Sequence, residues 1–143
     1  KDCHRLFAPT DGSVRSVMGV PGPLFAVNPS FRSFSELVYG ENERVILDID
    51  SSLGRYMMIC VGALNVGSIE VHSPTPFHYH SLRSKQQHDQ SPFTIQKGQH
   101  IATFHLGSTV VLVFPKDSLS LRSQLLHKHV LYGSELGLMT EHG

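Results

Sequence analysis

The stretch RYMMICVGALNVGSIEVH, residues 55–72, decides the fold class. It is apolar for most of its length, yet Gly62 and Gly67 break it and it ends in alternation. Glycines within such a run are what buried strands that bend carry, and that is the reading taken. The segments on either side agree. ERVILDID (43–50) alternates at its end, HIATFHL (100–106) alternates, and TVVLVF (109–114) is a continuous apolar run that reads as a buried strand. Gly numbers 12 and Pro 8, spread along the chain, so helical signals are thin. SFSELVYG (33–40) reads as one short helix, with serine as its cap and Gly40 just past its end. The expectation is a mainly all-β, single barrel-like or sandwich domain with that one helix.

The remaining segments fill in the organisation. Residues 73–93, SPTPFHYHSLRSKQQHDQSPF, are polar and without period, and read as a long surface loop. PGPLFAVNP (21–29) reads as a loop framed by Pro and Gly that carries apolar anchors. KGQHIATF (97–104) and YGSELGLM (132–139) echo one another, a pattern suited to hairpin-linked strands on two halves of a sandwich.

Composition excludes several functions. The 143 residues suffice for one domain with a real core. Lys+Arg and Asp+Glu balance at 12 each and are scattered, which argues against nucleic acid and against a polybasic membrane patch. Trp is absent, so a base-stacking platform is not expected. Cys3 and Cys60 form no metal or redox spacing and read as inert. No apolar run reaches the length of a membrane span and no targeting segment is visible, while the start at Lys1 reads as the catalytic part of something longer.

Chemistry enters at FHLGSTVVLVF (104–114), where small hydroxyl-bearing residues precede the apolar run. Gly-Ser here suits a plain turn. It also suits self-cleavage: the Ser108 hydroxyl can attack the Gly107 carbonyl, and glycine lacks the Cβ that would hinder approach. Elimination from the resulting ester, followed by hydrolysis, leaves a pyruvoyl ketone at the new N-terminus. Such a ketone accepts a substrate amine and draws electrons as carbon dioxide leaves.

Four blocks now stand in order: PGPLFAVNP (21–29), ENERVILDID (41–50), GALNVGSIEVH (62–72) and HLGSTVVLVF (105–114). Together they resemble the phosphatidylserine decarboxylase family, nearest to the mitochondrial and proteobacterial type with its Leu-Gly-Ser-Thr cleavage site. The resemblance runs from about Asp2 to about Gly137. It implies cleavage between Gly107 and Ser108, giving a β chain 1–107 and an α chain 108–143 that carries the pyruvoyl group. It further implies a phospholipid substrate, phosphatidylethanolamine as product, and a mitochondrial or bacterial inner membrane reached through an N-terminal part, with cleaved pairs associating as dimers. The family's N-terminal block reads Tyr-His-x-x-His-x-Pro-x-x-Gly. CHRLFAPTDG (3–12) matches His4, Pro9 and Gly12, and departs at Cys3 and at Phe7. The family's second histidine, which acts with an upstream aspartate as base for self-cleavage, is therefore phenylalanine. His4 is the implied proton donor to the product, beside a surface reading for the same side chain.

Other candidates stay two-sided. Leu24 and Phe25 either line a lipid entrance or pack on their own core. Gly67 and Ser68 either line the pocket beside the pyruvoyl group, as the resemblance implies, or mark a strand kink. Thr109 joins them as a pocket candidate. His105 points away from Ser108 if the strand stays extended. The pairs His78/His80 and His127/His129 lack an accompanying Cys or carboxylate, so no metal is expected, and His72, His88 and His142 read as solvated. Three rival functions remain: an uncut paralogue that binds lipid or a partner or acts as a scaffold, a pyruvoyl decarboxylase of a soluble amino acid, and a His-rich metal-binding module.

Overall fold

The structure is a computed structural model that describes residues 4–25, 40–63, 68–75, 77–80, 86–88, 91–105 and 109–140. Its strands in chain order are β1 (Arg5–Phe7), β2 (Gly12–Val20), β3 (Arg44–Ser51), β4 (Gly54–Val61), β5 (Ser68–Val71), β6 (Phe77–His80), β7 (Gln86–His88), β8 (Phe93–Ile95), β9 (His100–Phe104), β10 (Thr109–Val113), β11 (Leu119–Leu121) and β12 (Gly137–Met139). The all-β expectation is met. A four-stranded sheet runs β1-β9-β5-β6, and a six-stranded sheet runs β10-β4-β3-β2-β7 with β8 also on β2. β11 and β12 form a separate pair.

Alternation explains why these segments are strands. In β3, Val45, Leu47 and Ile49 are buried while Asp48 and Asp50 face out to meet Arg55 and Arg15. The Arg55 hydrogen bond holds the Asp48 carboxyl below its ordinary range. The inward faces of both sheets share one core: Leu6, Ile69, Val71, Tyr79 and Phe104 from one, Val17, Leu47, Ile49, Tyr56 and Cys60 from the other. The β3–β4 hairpin turns through Ser52 and Leu53, and Gly54 (φ 86°) takes the left-handed conformation that closes it.

Several expectations are corrected. The supposed surface loop 73–93 contributes β6, β7 and the start of β8. Each lies at a sheet edge, where polar residues discourage further pairing, so the composition resembles that of a loop. The run 109–114 is not a fully buried strand: β10 is an edge strand, most of it half-buried, with Val113 half exposed. Periodicity alone does not separate an edge position from a central one. Residues 33–39 lie outside the described residues; Gly40 and Glu41 are themselves helical, so Gly40 does not stand past a helix end. The echo between 97–104 and 132–139 is real in one respect, since Gly98 and Gly133 both adopt positive φ (80° and 81°). Their strands differ, however. β9 is central in the four-stranded sheet, whereas β12 pairs with β11.

Candidate functional site

The chain crosses between its two large sheets twice at the same end. β4 of the six-stranded sheet is followed, after Gly62, Ala63 and four further residues, by β5 of the four-stranded one. β9 is followed, after His105 and three further residues, by β10 in the opposite direction. Four peptide steps from residue 105 to 109 span at most about 14 Å, so the two sheet ends are neighbours.

Backbone bonds gather the nominated residues there. The His4 carbonyl accepts the Phe104 N–H at 2.8 Å, and the Ser68 carbonyl accepts the His105 N–H at 3.2 Å. His4, Ser68 and His105 therefore lie on adjacent strands at one end of the four-stranded sheet. Across the crossing, Thr109 pairs with Val61 in the β10–β4 ladder. The next residue, Gly62, holds the third group: its carbonyl accepts the buried Asn42 Nδ2 at 2.8 Å. Asn42 also donates to the Phe25 carbonyl at 2.9 Å and accepts the Phe25 N–H at 3.2 Å. Leu24 and Phe25 are thereby fixed near this end, with Leu24 half-buried and Phe25 46% exposed. Gly107, Ser108 and Gly67 lie outside the described residues, as does Cys3.

Asn42 was not nominated from the sequence, yet it ties the 21–25 loop to the sheet. The approach is close: a Cβ on Gly22 would sit 2.0 Å from the Glu41 carbonyl oxygen, so only glycine fits. Replacing Asn42 by Ala removes three hydrogen bonds and leaves the Gly62 carbonyl without this partner. The expected cost is roughly 2–4 kcal/mol in urea denaturation. A loss below about 0.5 kcal/mol, within the range of ordinary surface substitutions, would show that the loop is held by other contacts.

The outward face of the four-stranded sheet is the larger surprise. S-I-E-V-H alternates, so Ser68, Glu70 and His72 share that face. Glu70 stands opposite His78 on β6 and opposite Thr103 on β9. The β1–β9 register slips at Leu6/Phe7, with Leu6 opposite Ala102 and Phe7 opposite His100. Such a bulge returns His100 to the same side as Thr103. There the Thr103 hydroxyl lies 3.0 Å from His72 Nε2 and 2.9 Å from His100 Nε2. The two imidazoles are 4.2 Å apart at their centroids. His72 is thus half-buried and bonded rather than simply solvated. Phe7 caps the group, 5.4 Å from the His100 ring and 4.2 Å from Tyr132. A cleft of about 400 Å³ opens beside Glu70 and His72, bounded by Ser73, Pro74, Phe93, Thr94 and Gln99. Among the described residues, none of the site residues nominated from the sequence lines it.

Desolvation, followed by repulsion from His72, pushes the His100 imidazole below its ordinary value of 6.5. The unfolded chain then binds the proton more readily than the folded one, so His100 favours folding when neutral. That contribution is present above about pH 6.5 and is lost as pH falls below it. The melting temperature should therefore drop between pH 7.5 and 5.5, and His100→Asn should shrink the drop. An equal drop in the variant would assign the pH dependence to other groups.

Among the described cysteines, Cys60 is buried and free, and burial pushes its thiol up to about 12, which suits an inert core residue.

Taken together, the described residues define a class: a two-sheet β domain whose candidate residues converge where strands pass from one sheet to the other. Comparisons narrow it. The sequence profile described as Phosphatidylserine decarboxylase matches residues 1–138. Similar proteins include the phosphatidylserine decarboxylase proenzyme of Nitrosococcus oceani, 35% identical over 128 residues, 87% of this chain and 42% of that one. The Marinobacter nauticus proenzyme is 36% identical over 96% of this chain and 49% of its own. A mitochondrial proenzyme from Cricetulus griseus is 37% identical over 81% of this chain and 31% of its own. The chain belongs to the phosphatidylserine decarboxylase family, and it spans less than half the length of these relatives.

Proposed function

We propose that the chain forms the catalytic part of a pyruvoyl-dependent phosphatidylserine decarboxylase, matured by cleavage between Gly107 and Ser108. The observation that supports this reading is a family member's sequence with Leu-Gly-Ser-Thr between β9 and β10, whose flanking residues His105 and Thr109 are held by the Ser68 carbonyl and by pairing with Val61. The residues present fit the pyruvoyl group. Ser108 is its precursor, Gly107 offers an unhindered carbonyl, and the chain on both sides is held by ladder bonds at Ser68 and Val61. The group supplies an electrophilic ketone that takes up electrons as carbon dioxide departs.

The chain's own residues do the rest. His4 returns a proton to the product, its strand fixed by the bond from Phe104. Leu24 and Phe25 meet acyl chains at the entrance, Phe25 being exposed on a loop whose backbone is tied down. Gly67, Ser68 and Thr109 line the pocket around the head group. Cleavage then separates 1–107 from 108–143 within this chain, and the cleaved pairs associate as dimers at a mitochondrial or bacterial inner membrane surface. Among the described residues no helix is long and apolar enough to cross a membrane.

Carbon dioxide release from phosphatidylserine vesicles, measured beside free serine and other amino acids, tests the substrate class. Release from vesicles alone is expected. Release from free amino acids alone would move the activity to a soluble substrate. One observation favours a second reading, an uncut lipid-binding paralogue. Phe7, which cannot take a proton, fills its position by packing on His100 and Tyr132.

A further inference from the structure

Glu70, His78 and His105 come from three adjacent strands or strand ends, and nothing in the proposed reaction uses them together. Glu70 and His78 are direct cross-strand partners on β5 and β6. His105 follows β9, and its N–H bonds the Ser68 carbonyl, which places it one step along the same face. Glu70 Oε1 lies 3.9 Å from His78 Nε2, and Glu70 Oε2 lies 3.5 Å from His105 Nε2. One ligand atom from each residue falls within 4.8 Å of the other two.

We infer that these three side chains form a binding site for a divalent transition cation of the zinc type. Two imidazoles and one carboxylate are donors that suit such an ion, and three protein ligands leave a fourth position to water. Bond lengths near 2.0–2.1 Å in a tetrahedral site put donor atoms about 3.3 Å apart. The observed separations, 3.5 and 3.9 Å with the widest at most 4.8 Å, therefore need to contract by about 1.5 Å or less. The backbone is fixed by ladders, while His78 and His105 are more than half exposed and free to rotate that far. Glu70, only 26% exposed, is the anchor.

The sequence does not show this site, for a definite reason. Along the chain His78 stands two residues from His80, with no carboxylate beside them. The fold supplies Glu70 from across one ladder and His105 from across another. Occupancy would clamp β5, β6 and the end of β9 immediately before the chain departs toward Gly107. The inference stands on this geometry and does not depend on the decarboxylase reading.

Titrating the purified metal-free protein with cobalt(II), followed by displacement with zinc(II), tests it. One equivalent of cobalt with visible absorption bands of a low-coordinate site is expected. Zinc should raise the melting temperature by several degrees. Glu70→Gln, His78→Asn and His105→Asn should each weaken binding by at least about tenfold, since each removes one ligand. His129→Asn should leave binding unchanged. Absence of one-to-one binding, or affinity kept in the first three variants and lost in His129→Asn, would overturn the site. Because His78 and His105 are surface residues, their variants keep the test decisive even if Glu70→Gln fails to fold.

Discussion

Replacing Ser108 with alanine is expected to leave one uncut chain that still folds and releases no carbon dioxide from phosphatidylserine. The reason is atomic. Cleavage requires an oxygen nucleophile one residue after the Gly107 carbonyl, and β-elimination of that same oxygen is what turns the residue into dehydroalanine and then the pyruvoyl ketone. Alanine has no such oxygen, so both maturation and turnover vanish rather than slow. Folding should survive, because the flanking strands are held by other groups: the Ser68 carbonyl on His105, and the β10–β4 ladder from Thr109 onward. Ser68→Ala is the matched control. Ser68 holds His105 through its backbone carbonyl, so losing its hydroxyl should leave cutting intact. Intact mass reads both variants. Cutting at the same bond in Ser108→Ala would remove the hydroxyl from the mechanism altogether.

The second large effect is a gain. Phe7→His should accelerate self-cleavage by roughly 10²–10⁴, the range a positioned general base supplies. A serine hydroxyl is a weak nucleophile at neutral pH without one. In this chain the position implied for that base holds a ring in contact with His100 and Tyr132. An imidazole occupies less volume than a phenyl ring, so the substitution is accommodated at a half-buried site. Phe7→Leu separates packing from chemistry. It should lose the ring contacts and leave the cleavage rate unchanged. The appearance of the cut chains over time, followed by mass, gives the rate. An unchanged rate in Phe7→His would mean that cleavage takes its base from elsewhere in the protein.

How far the sequence carried these conclusions differs from element to element. Alternation in 43–50 was enough to place the strand and its buried face, because burial on one side imposes a period of two. In 100–106 it placed the strand, but the bulge buries both Ile101 and Ala102. It was not enough at 73–93. There the strands lie at sheet edges and have little apolar face to show. The continuous run 109–114 misled in the other direction, since edge and central strands can carry the same residues.

The candidate site divides in the same way. Local motifs named His4, Ser68 and Thr109, and the structure brings their strands to one end of the two sheets. Asn42 carries no motif, and its role appears only when the 21–25 loop is seen folded over Gly62. The alternation of Ser68, Glu70 and His72 was readable. What they face was not, because cross-strand neighbours depend on sheet order and on a bulge between β1 and β9.

The most direct test of the central claim is the intact mass of the protein expressed from its complete coding sequence, with and without borohydride. The account predicts two chains that separate between Gly107 and Ser108. The second should be lighter by one ammonia than a serine terminus and should gain hydrogen on reduction. A single uncut chain would contradict it and would favour a protein that keeps the family's fold to bind lipid.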